Sequence, residues 1–449
     1  MEAIQYAHPA IECLDRDGIL AIQERKLKAL GERLQGHPEW VRHFQKADMS
    51  PRDLGNLDAL SSVPTLDKAD LRALYPFPML TAELAQVRRF VATSGTSGMP
   101  VMFGLTDRDL SQLLPHQMSR ILRAAGIVAG DRVYQGYGYG LWFGGLGMDI
   151  GLAACGAVNF PIGPGRGDLV VKWLSDHAYT ACTVSPLWLM TLVNLAKSQN
   201  IDPRKAWKLR VGVFGGQSIS AAFRDQLEAE MPPGFMAQNN YGTTEAGGPV
   251  VAQSCPYSHD VDEMHLINED TIITEVVDPA TMKRVGPGEV GEIVVTTLDR
   301  DASPVIRWRT RDLVKLSAKP YDCPCGRAGL PKIGRIIGRN DDMLKVRGVI
   351  VFPTQIEDII AETEGAVKEA WQIYIDSEHQ ILEEITVAVE RRGGASSIQE
   401  KQDVQQRLAH ALHSRLGIRV TVECHDEGSL PRYEGKAVRV HRRGAKPEK

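Results

Sequence analysis

Between residues 89 and 215 the chain repeats one pattern: a short β-branched, apolar run, then a longer stretch at helical spacing, then another such run. The runs are Arg89–Thr93, Arg132–Gly136, Ala157–Pro161, Tyr179–Ser185 and Arg210–Gly215. Strands joined by helices run parallel, and a parallel sheet hides both faces under those helices, so the alternation predicts a mostly parallel α/β body. Ahead of it, Ile19, Ile22, Leu27, Leu30 and Leu34 recur at helical spacing among charges, which predicts a lead-in of amphipathic helices over 15–46. Past residue 265 the pattern changes: Thr271–Val277 and Glu292–Thr297, separated by the turn Gly286–Gly288, predict antiparallel strands in a smaller β unit. After Arg339–Asp342 come a strand-like Met343–Val351, a helix from about Thr354, a strand at Ile385–Glu390, a polar gap, a second helix and a strand at Val420–Cys424. The expected organisation is α/β: a large N-terminal domain over 1–340 with the parallel sheet and the β unit, and a small α+β domain over 341–449.

With 43% hydrophobic and 24% charged residues among 449, the chain has ample material for these cores. A formal charge of −4 gives no basic field, which argues against nucleic acid as the main partner, and His441–Arg443 reads as a solvated tail. The first twenty residues lack the layout of a signal or transit peptide, and no apolar run is long enough to span a bilayer, so a cytoplasmic location with reduced thiols is expected. Of seven cysteines, Cys13, Cys155, Cys182 and Cys424 stand apart in mostly apolar surroundings and are expected to pack as small hydrophobes.

Two segments carry chemistry. Thr93–Gly98 is a run of hydroxyl residues and glycines directly after a predicted strand, where backbone N–H groups and hydroxyls can approach a polyphosphate closely. It is not the P-loop of NTPases, because no Gly-Lys-Ser/Thr follows. Tyr241–Glu245 packs an aromatic ring, a glycine, two hydroxyls and a carboxylate into five residues, a set able to stack a purine, touch a phosphate and hold Mg²⁺.

With these two segments in order, and with Leu74–Phe77, Tyr137–Gly140, Pro304–Leu313, Gly338–Val349 and Pro431–Val440 around them, the sequence resembles the acyl-adenylate-forming superfamily and within it the phenylacetate:CoA ligase family. The resemblance covers nearly the whole chain. It implies an adenylate-forming large domain, a mobile small domain, and an aryl acid:CoA ligase that uses ATP, Mg²⁺ and CoA. Carried over residue by residue, it makes Ser94, Gly95, Thr96, Ser97 and Gly98 the loop that holds the β- and γ-phosphates, Tyr241 the adenine-stacking ring and Thr244 an α-phosphate contact. Gly216, Gly242 and Thr243 also fall on the ATP side. Glu245 matches the Mg²⁺ ligand, Asp312 and Arg339 match ribose contacts, and Asp341 falls at the hinge. Lys436 matches the small-domain lysine that bridges carboxylate and phosphate during adenylation, and Gly348 lies on the strand beside the CoA channel. The chemistry needs such groups, because a carboxylate attacking a phosphate brings two anions together.

Two departures stand out: Met99 replaces a lysine often found after the phosphate loop, and Gly215–Ser218 differs from the family's usual Gly-Ala-Glu-Pro. The aromatic and glycine-rich run 137–147 suits a flat ring entering a slot. The resemblance puts Tyr139 and Phe143 near the aryl group, with Gly215 and Gly216 opposite. Phenylacetate, benzoate, anthranilate and hydroxylated relatives all fit this reading.

Cys255, His265, Cys323 and Cys325 form a Cys₃His set suited to a closed structural zinc site, with His259 as the competing histidine. The partners expected are a small aromatic carboxylic acid, ATP and CoA, in a monomer or homodimer. Two rivals remain: an enzyme that loads an acyl carrier protein, and a catalytically silent nucleotide-binding protein.

Overall fold

A computed structural model describes residues 5–93, 99–217, 219–347, 349–375, 382, 384–393, 397–431 and 439–442. The chain divides into two compact units, Met1–Ile219 with Leu227–Arg335, and Ile336–Lys449 with Ser220–Gln226.

The lead-in is helical, as its periodicity predicts. Helix α1 (Arg16–Leu34) starts where Asp15 accepts a hydrogen bond from the Gly18 N–H at 2.8 Å and buries Ile19, Leu27, Leu30 and Leu34; α2 (Pro38–Gln45) follows. The first apolar run departs from the expected parallel sheet. Val87–Ala92 pairs antiparallel with Met102–Thr106 in a separate hairpin, because nine residues are too few for a crossover helix.

Beyond α3 (Leu114–Ala124), the alternation builds the expected sheet. Strands β1 (Arg132–Gln135), β2 (Val158–Pro161), β3 (Ala181–Thr183), β4 (Val211–Phe214) and β5 (Met236–Thr243) pair in parallel in the order β2-β1-β3-β4-β5. Helices α4 (Gly144–Ala154), α5 (Gly167–Asp176) and α6 (Pro186–Ser198) make the crossovers. The sheet then changes sense: β6 (Gly248–Gln253) and β7 (Glu263–Leu266) continue it antiparallel from β5. The β unit holds β8 (Ile272–Val277), β9 (Val290–Thr297) and β10 (Trp308–Lys315), paired antiparallel in that order, and β11 (Lys332–Gly334) closes the main sheet against β7. Buried Arg120 in α3 meets buried Asp270 at 2.6 Å, tying the helical layer to the loop between β7 and β8.

In the second unit, β12 (Leu344–Val346) and β13 (Val349–Val351) form a hairpin ahead of α7 (Pro353–Glu362). A sheet then pairs β14 (Ala366–Ile375), β15 (Ile385–Arg391), β16 (Thr421–His425) and β17 (Val440–Arg442), with α8 (Ile398–Leu416) between β15 and β16. Ile356, Ile359, Ile360, Trp371, Val387, Val404, Leu408 and Leu412 fill its core. His441 and Arg442 are therefore not tail: they extend β17 beside Tyr374 and Ile375 of β14. Cys155 and Cys182 are buried as expected, whereas Cys13 is exposed. Among the described residues no helix is long and apolar enough to cross a membrane.

Candidate active site and cysteine–histidine centre

The C-terminal ends of parallel strands leave carbonyl-rich edges where loops diverge, and ligand sites of open α/β sheets form there. In this sheet the loop after β1 meets the loop after β4. Tyr137, buried, donates to the Val184 carbonyl at 2.8 Å and accepts from the Gly215 N–H at 2.6 Å. Burial pushes its phenol pKa up, so it stays a neutral donor. Asn240 of β5 closes the same corner: its amide donates to the Pro249 and Ala252 carbonyls at 3.1 Å, and its Oδ1 lies beside Gly215.

One strand position further, Tyr241 donates to Asp312 Oδ2 at 2.6 Å. The two residues come from β5 and β10, 71 apart in sequence, and both are buried. Asp312 is held from behind, its N–H donating to Thr310 Oγ1 at 3.1 Å. Past Tyr241 the register with β6 shifts, because a Cβ on Gly242 would lie 2.0 Å from the Gly248 carbonyl oxygen and only glycine lets the strands approach. The turn that follows locks itself: the Ala246 N–H donates to Thr243 Oγ1 at 3.2 Å, and the Gly247 N–H to the Thr244 carbonyl at 3.2 Å. Glu245 sits on this turn, 6% exposed, and its carboxylate accepts no hydrogen bond from the described residues. A buried carboxylate is costly unless paired, so its position suits a cation ligand.

The expected aryl neighbours differ in exposure. Tyr139 is exposed, whereas Phe143 is wholly buried, packed so closely on the turn that a Cβ at Gly248 would lie 2.6 Å from its ring. Tyr137 and Asn240, beside Gly215, were not singled out from the sequence. Only the aromatic richness of 137–143 pointed at the first, and nothing local pointed at the second. Arg339 is engaged with Asp341, the two making a bidentate pair at 2.8 Å. Ser94, Gly95, Thr96, Ser97, Gly98, Gly348 and Lys436 lie outside the described residues.

At the far end of the sheet, four ligand-type atoms converge within 4.8 Å of one another: the sulfurs of Cys255, Cys323 and Cys325 and a ring nitrogen of His265. Cys255 follows β6, His265 lies in β7, and the two remaining cysteines precede β11, which pairs Lys332 with His265. The Cys255 and Cys323 sulfurs are 3.8 Å apart, and Cys325 Sγ is 3.2 Å from His265 Nε2. A tetrahedral ion about 2.3 Å from two sulfurs sets them about 3.8 Å apart, so the donors fit zinc in type and spacing. His265 Nδ1 donates to the Leu330 carbonyl at 3.2 Å, which turns Nε2 toward the sulfurs. His259 is committed elsewhere, to Glu228 at 2.7 Å and Asp260 at 2.9 Å. Burial opposes a charge on His265, but hydrogen bonding to the Cys255 and Cys325 sulfurs outweighs it and raises its pKa to about 9, while hydrogen bonding with Cys323 and Cys325 holds the Cys255 thiol low. Tyr6 donates to the Cys325 carbonyl at 2.6 Å and lies 4.8 Å from the Arg327 guanidinium, which is itself buried against Glu12 at 2.7 Å.

Comparison with known proteins matches this layout. Residues 78–298 match the AMP-binding enzyme family, and residues 348–443 the AMP-binding enzyme C-terminal domain. The chain is 34% identical to the phenylacetate-coenzyme A ligase of Escherichia coli (strain K12) over 96% of both chains. It is also 34% identical to that of Pseudomonas putida, over 90% of this chain and 89% of the relative. A crystal structure of 2-hydroxyisobutyryl-CoA ligase in the postadenylation state, in complex with 2-HIB-AMP, superposes with a TM-score of 0.86 at 27% identity, covering 97% of this chain and 91% of that one. With Tyr241, Asp312 and the Glu245 turn at the edge of such a sheet, the chain belongs to the phenylacetate-coenzyme A ligase family of AMP-binding enzymes and is an AMP-forming acid–thiol ligase.

Proposed function

We propose that the substrate is a small aryl or arylacetic acid, activated as its adenylate and passed to CoA. The observation that carries this reading is the direct Tyr241–Asp312 contact together with a buried Glu245 whose carboxylate has no hydrogen-bond partner among the described residues, at the edge of the parallel sheet. Tyr241 offers a ring to adenine, and Asp312, whose Oδ2 accepts a hydrogen bond from the Tyr241 phenol, binds the ribose hydroxyls. Thr244 touches the α-phosphate, Ser94–Gly98 hold the β- and γ-phosphates, and Glu245 is the ligand for Mg²⁺, which when bound offsets charge on the phosphates. The acid's carboxylate oxygen attacks the α-phosphorus and pyrophosphate leaves, with Lys436 bridging the two anions. Next, the small domain turns about Asp341 to bring Gly348 beside the thiol channel, the CoA sulfur attacks the acyl carbon, and AMP leaves. Gly215, next to Tyr137 and Asn240, lines the acyl slot. Cys255, His265, Cys323 and Cys325 would hold zinc, which closes a tetrahedral set and so supplies folding energy rather than chemistry. The protein acts in the cytoplasm as a monomer or homodimer.

Acid-dependent pyrophosphate release over a panel of aryl, arylacetic and aliphatic acids tests the reading, with CoA and a phosphopantetheinylated carrier protein offered side by side. Turnover with aryl acids and CoA is expected. Preference for the carrier protein, or release without acid, overturns it. Lys436→Ala is expected to lower adenylation by roughly 10²-fold or more while thioester formation from supplied acyl-AMP largely survives; equal loss of both steps would sink the two-conformation account.

A further inference from the structure

A fully buried guanidinium lies beneath the Glu245 turn with no hydrogen-bond partner among the described residues. Arg300 follows β9, is 1% exposed, and none of its three side-chain nitrogens makes a hydrogen bond with the described residues. Its Cζ stands 5.7 Å from the ring of Phe143. Gly247, which closes the turn at φ +113°, is where it presses closest: a Cβ there would lie 2.4 Å from Arg300 Nη1. The next residue, Gly248 at φ +104°, gives way in the same manner to Phe143. The paired glycines thus let a cation and an aromatic ring pack directly under the backbone that carries Thr244 and Glu245.

Burial of this kind is costly for an arginine, which keeps its charge in a protein and is normally found paired. The carboxylate that acts on it electrostatically is Asp109. That group is already committed to the N–H groups of Asp301 at 2.8 Å, Thr106 at 3.0 Å and Ala302 at 3.1 Å. A charge with no hydrogen-bonded counter-ion among the described residues gains stability from any anion that settles nearby, and gains most where the surroundings are dry.

We propose that Arg300 is a positioning residue for adenylation: a fixed positive charge that braces the Thr244–Gly247 turn from behind and strengthens its hold on the polyphosphate of ATP. The proposal rests on the reading of Thr244 and Glu245 as the phosphate and Mg²⁺ residues. It separates two functions in one side chain. The packing against Phe143 and Gly247 shapes the turn for any ligand, whereas the charge acts only on an anionic one. Compensation arrives with the nucleotide, so the empty enzyme carries the penalty of the unpaired ion.

The test compares Arg300→Met and Arg300→Lys with the parent enzyme, measuring binding of Mg·ATP and of uncharged adenosine by calorimetry, together with thermal melting. Arg300→Met is expected to weaken Mg·ATP about tenfold, the scale of a unit charge acting from behind the turn rather than by contact, and to leave adenosine within about twofold. It is also expected to melt no lower than the parent, since an apolar side chain of similar volume removes the buried unpaired charge. Arg300→Lys keeps the charge and is expected to hold Mg·ATP within about threefold. Equal weakening of ATP and adenosine makes Arg300 a packing residue and overturns the proposal, as does unchanged ATP binding in a folded Arg300→Met protein. If Met does not fold, the same comparison between Lys and Gln at position 300 decides. Glu245→Gln serves as the control: unchanged ATP binding there removes the underlying site reading, whereas a response at Glu245 without one at Arg300 removes only this proposal.

Discussion

The cysteine–histidine cluster and the Thr243–Gly248 turn belong to the same sheet, separated by the length of β6, yet they are built on opposite principles. In the cluster each donor faces another: sulfur meets sulfur at 3.8 Å, sulfur meets imidazole at 3.2 Å, and the outer ring nitrogen is satisfied by the Leu330 carbonyl. Around the turn the charged groups are left over. Glu245 accepts nothing from the described residues, and Arg300 donates nothing to them. Such groups cost stability, so a fold that keeps them must recover the energy from a ligand. A group of donors that satisfies itself around one point serves the fold; charges held apart and dry serve a substrate.

Breaking the turn should have the largest effect. Glu245→Gln preserves shape and removes the charge, so adenylation is expected to fall by roughly 10²-fold, the scale of one lost electrostatic stabiliser, and to need more Mg²⁺. Melting temperature should hold or rise, because the buried carboxylate has no hydrogen-bond partner among the described residues. Pyrophosphate release titrated against Mg²⁺ reads both, and an unchanged Mg²⁺ dependence takes Glu245 out of the metal site.

Breaking the cluster should do the reverse. Cys323→Ser is expected to lose near-stoichiometric zinc and to lower the melting temperature by about 10 °C or more, with the specific activity of the folded fraction within about twofold. His265→Ala should behave alike, and His259→Ala should keep the metal. Elemental analysis and melting curves on the same preparations are the check. A metal-free parent enzyme of full stability would turn the cluster back into three ordinary thiols.

How much of this was legible in the sequence follows from the range of each signal. The crossover helices announce themselves by periodicity, so β1 to β5 were readable, but the run at 89–93 looks the same whether its partner is parallel or antiparallel, and only its return at 102–106 decides. The second unit's β14 was missed, because Ala366–Ile375 interrupts its apolar residues with Lys368, Glu369 and Gln372 and its burial is set by the neighbouring strands. The Tyr241–Glu245 motif was local and visible, whereas Asp312, 71 residues away, entered only through family resemblance, and its contact with Tyr241 came from the structure. Arg300 carried no local signal at all: in a run of Asp299, Arg300 and Asp301 it reads as surface charge, and only burial distinguishes it. The two candidate zinc histidines could not be separated by spacing, and were separated by where their rings point.

The nucleotide side can be tested more finely through Asp312. The ribose reading predicts that Asp312→Asn raises the KM for ATP about tenfold while narrowing the gap between ATP and its 2′- and 3′-deoxyribose analogues. Steady-state kinetics with ATP, 2′-deoxy-ATP and 3′-deoxy-ATP measures it. A loss that is the same for ribose and deoxyribose nucleotides would leave Asp312 as a support for Tyr241 alone.

The smallest effect, and the one that separates the two roles of Tyr241, is expected from Tyr241→Phe. The substitution keeps the ring that would stack on adenine and deletes the hydroxyl that reaches Asp312 at 2.6 Å. A hydrogen bond to a charged acceptor contributes about 1.5–3 kcal/mol when both groups stay buried, but a freed Asp312 oxygen can turn to the ribose or to water and recover part of that. The KM for ATP should therefore rise only about threefold, with little change in kcat. Combined with Asp312→Asn, the double variant should resemble Asp312→Asn alone, because the hydroxyl acts through the carboxylate it orients. Strict additivity would mean that Tyr241 meets the nucleotide through its hydroxyl and Asp312 through its own contacts, independently. A tenfold or larger loss from Tyr241→Phe by itself would place the hydroxyl, rather than the ring, in contact with the substrate.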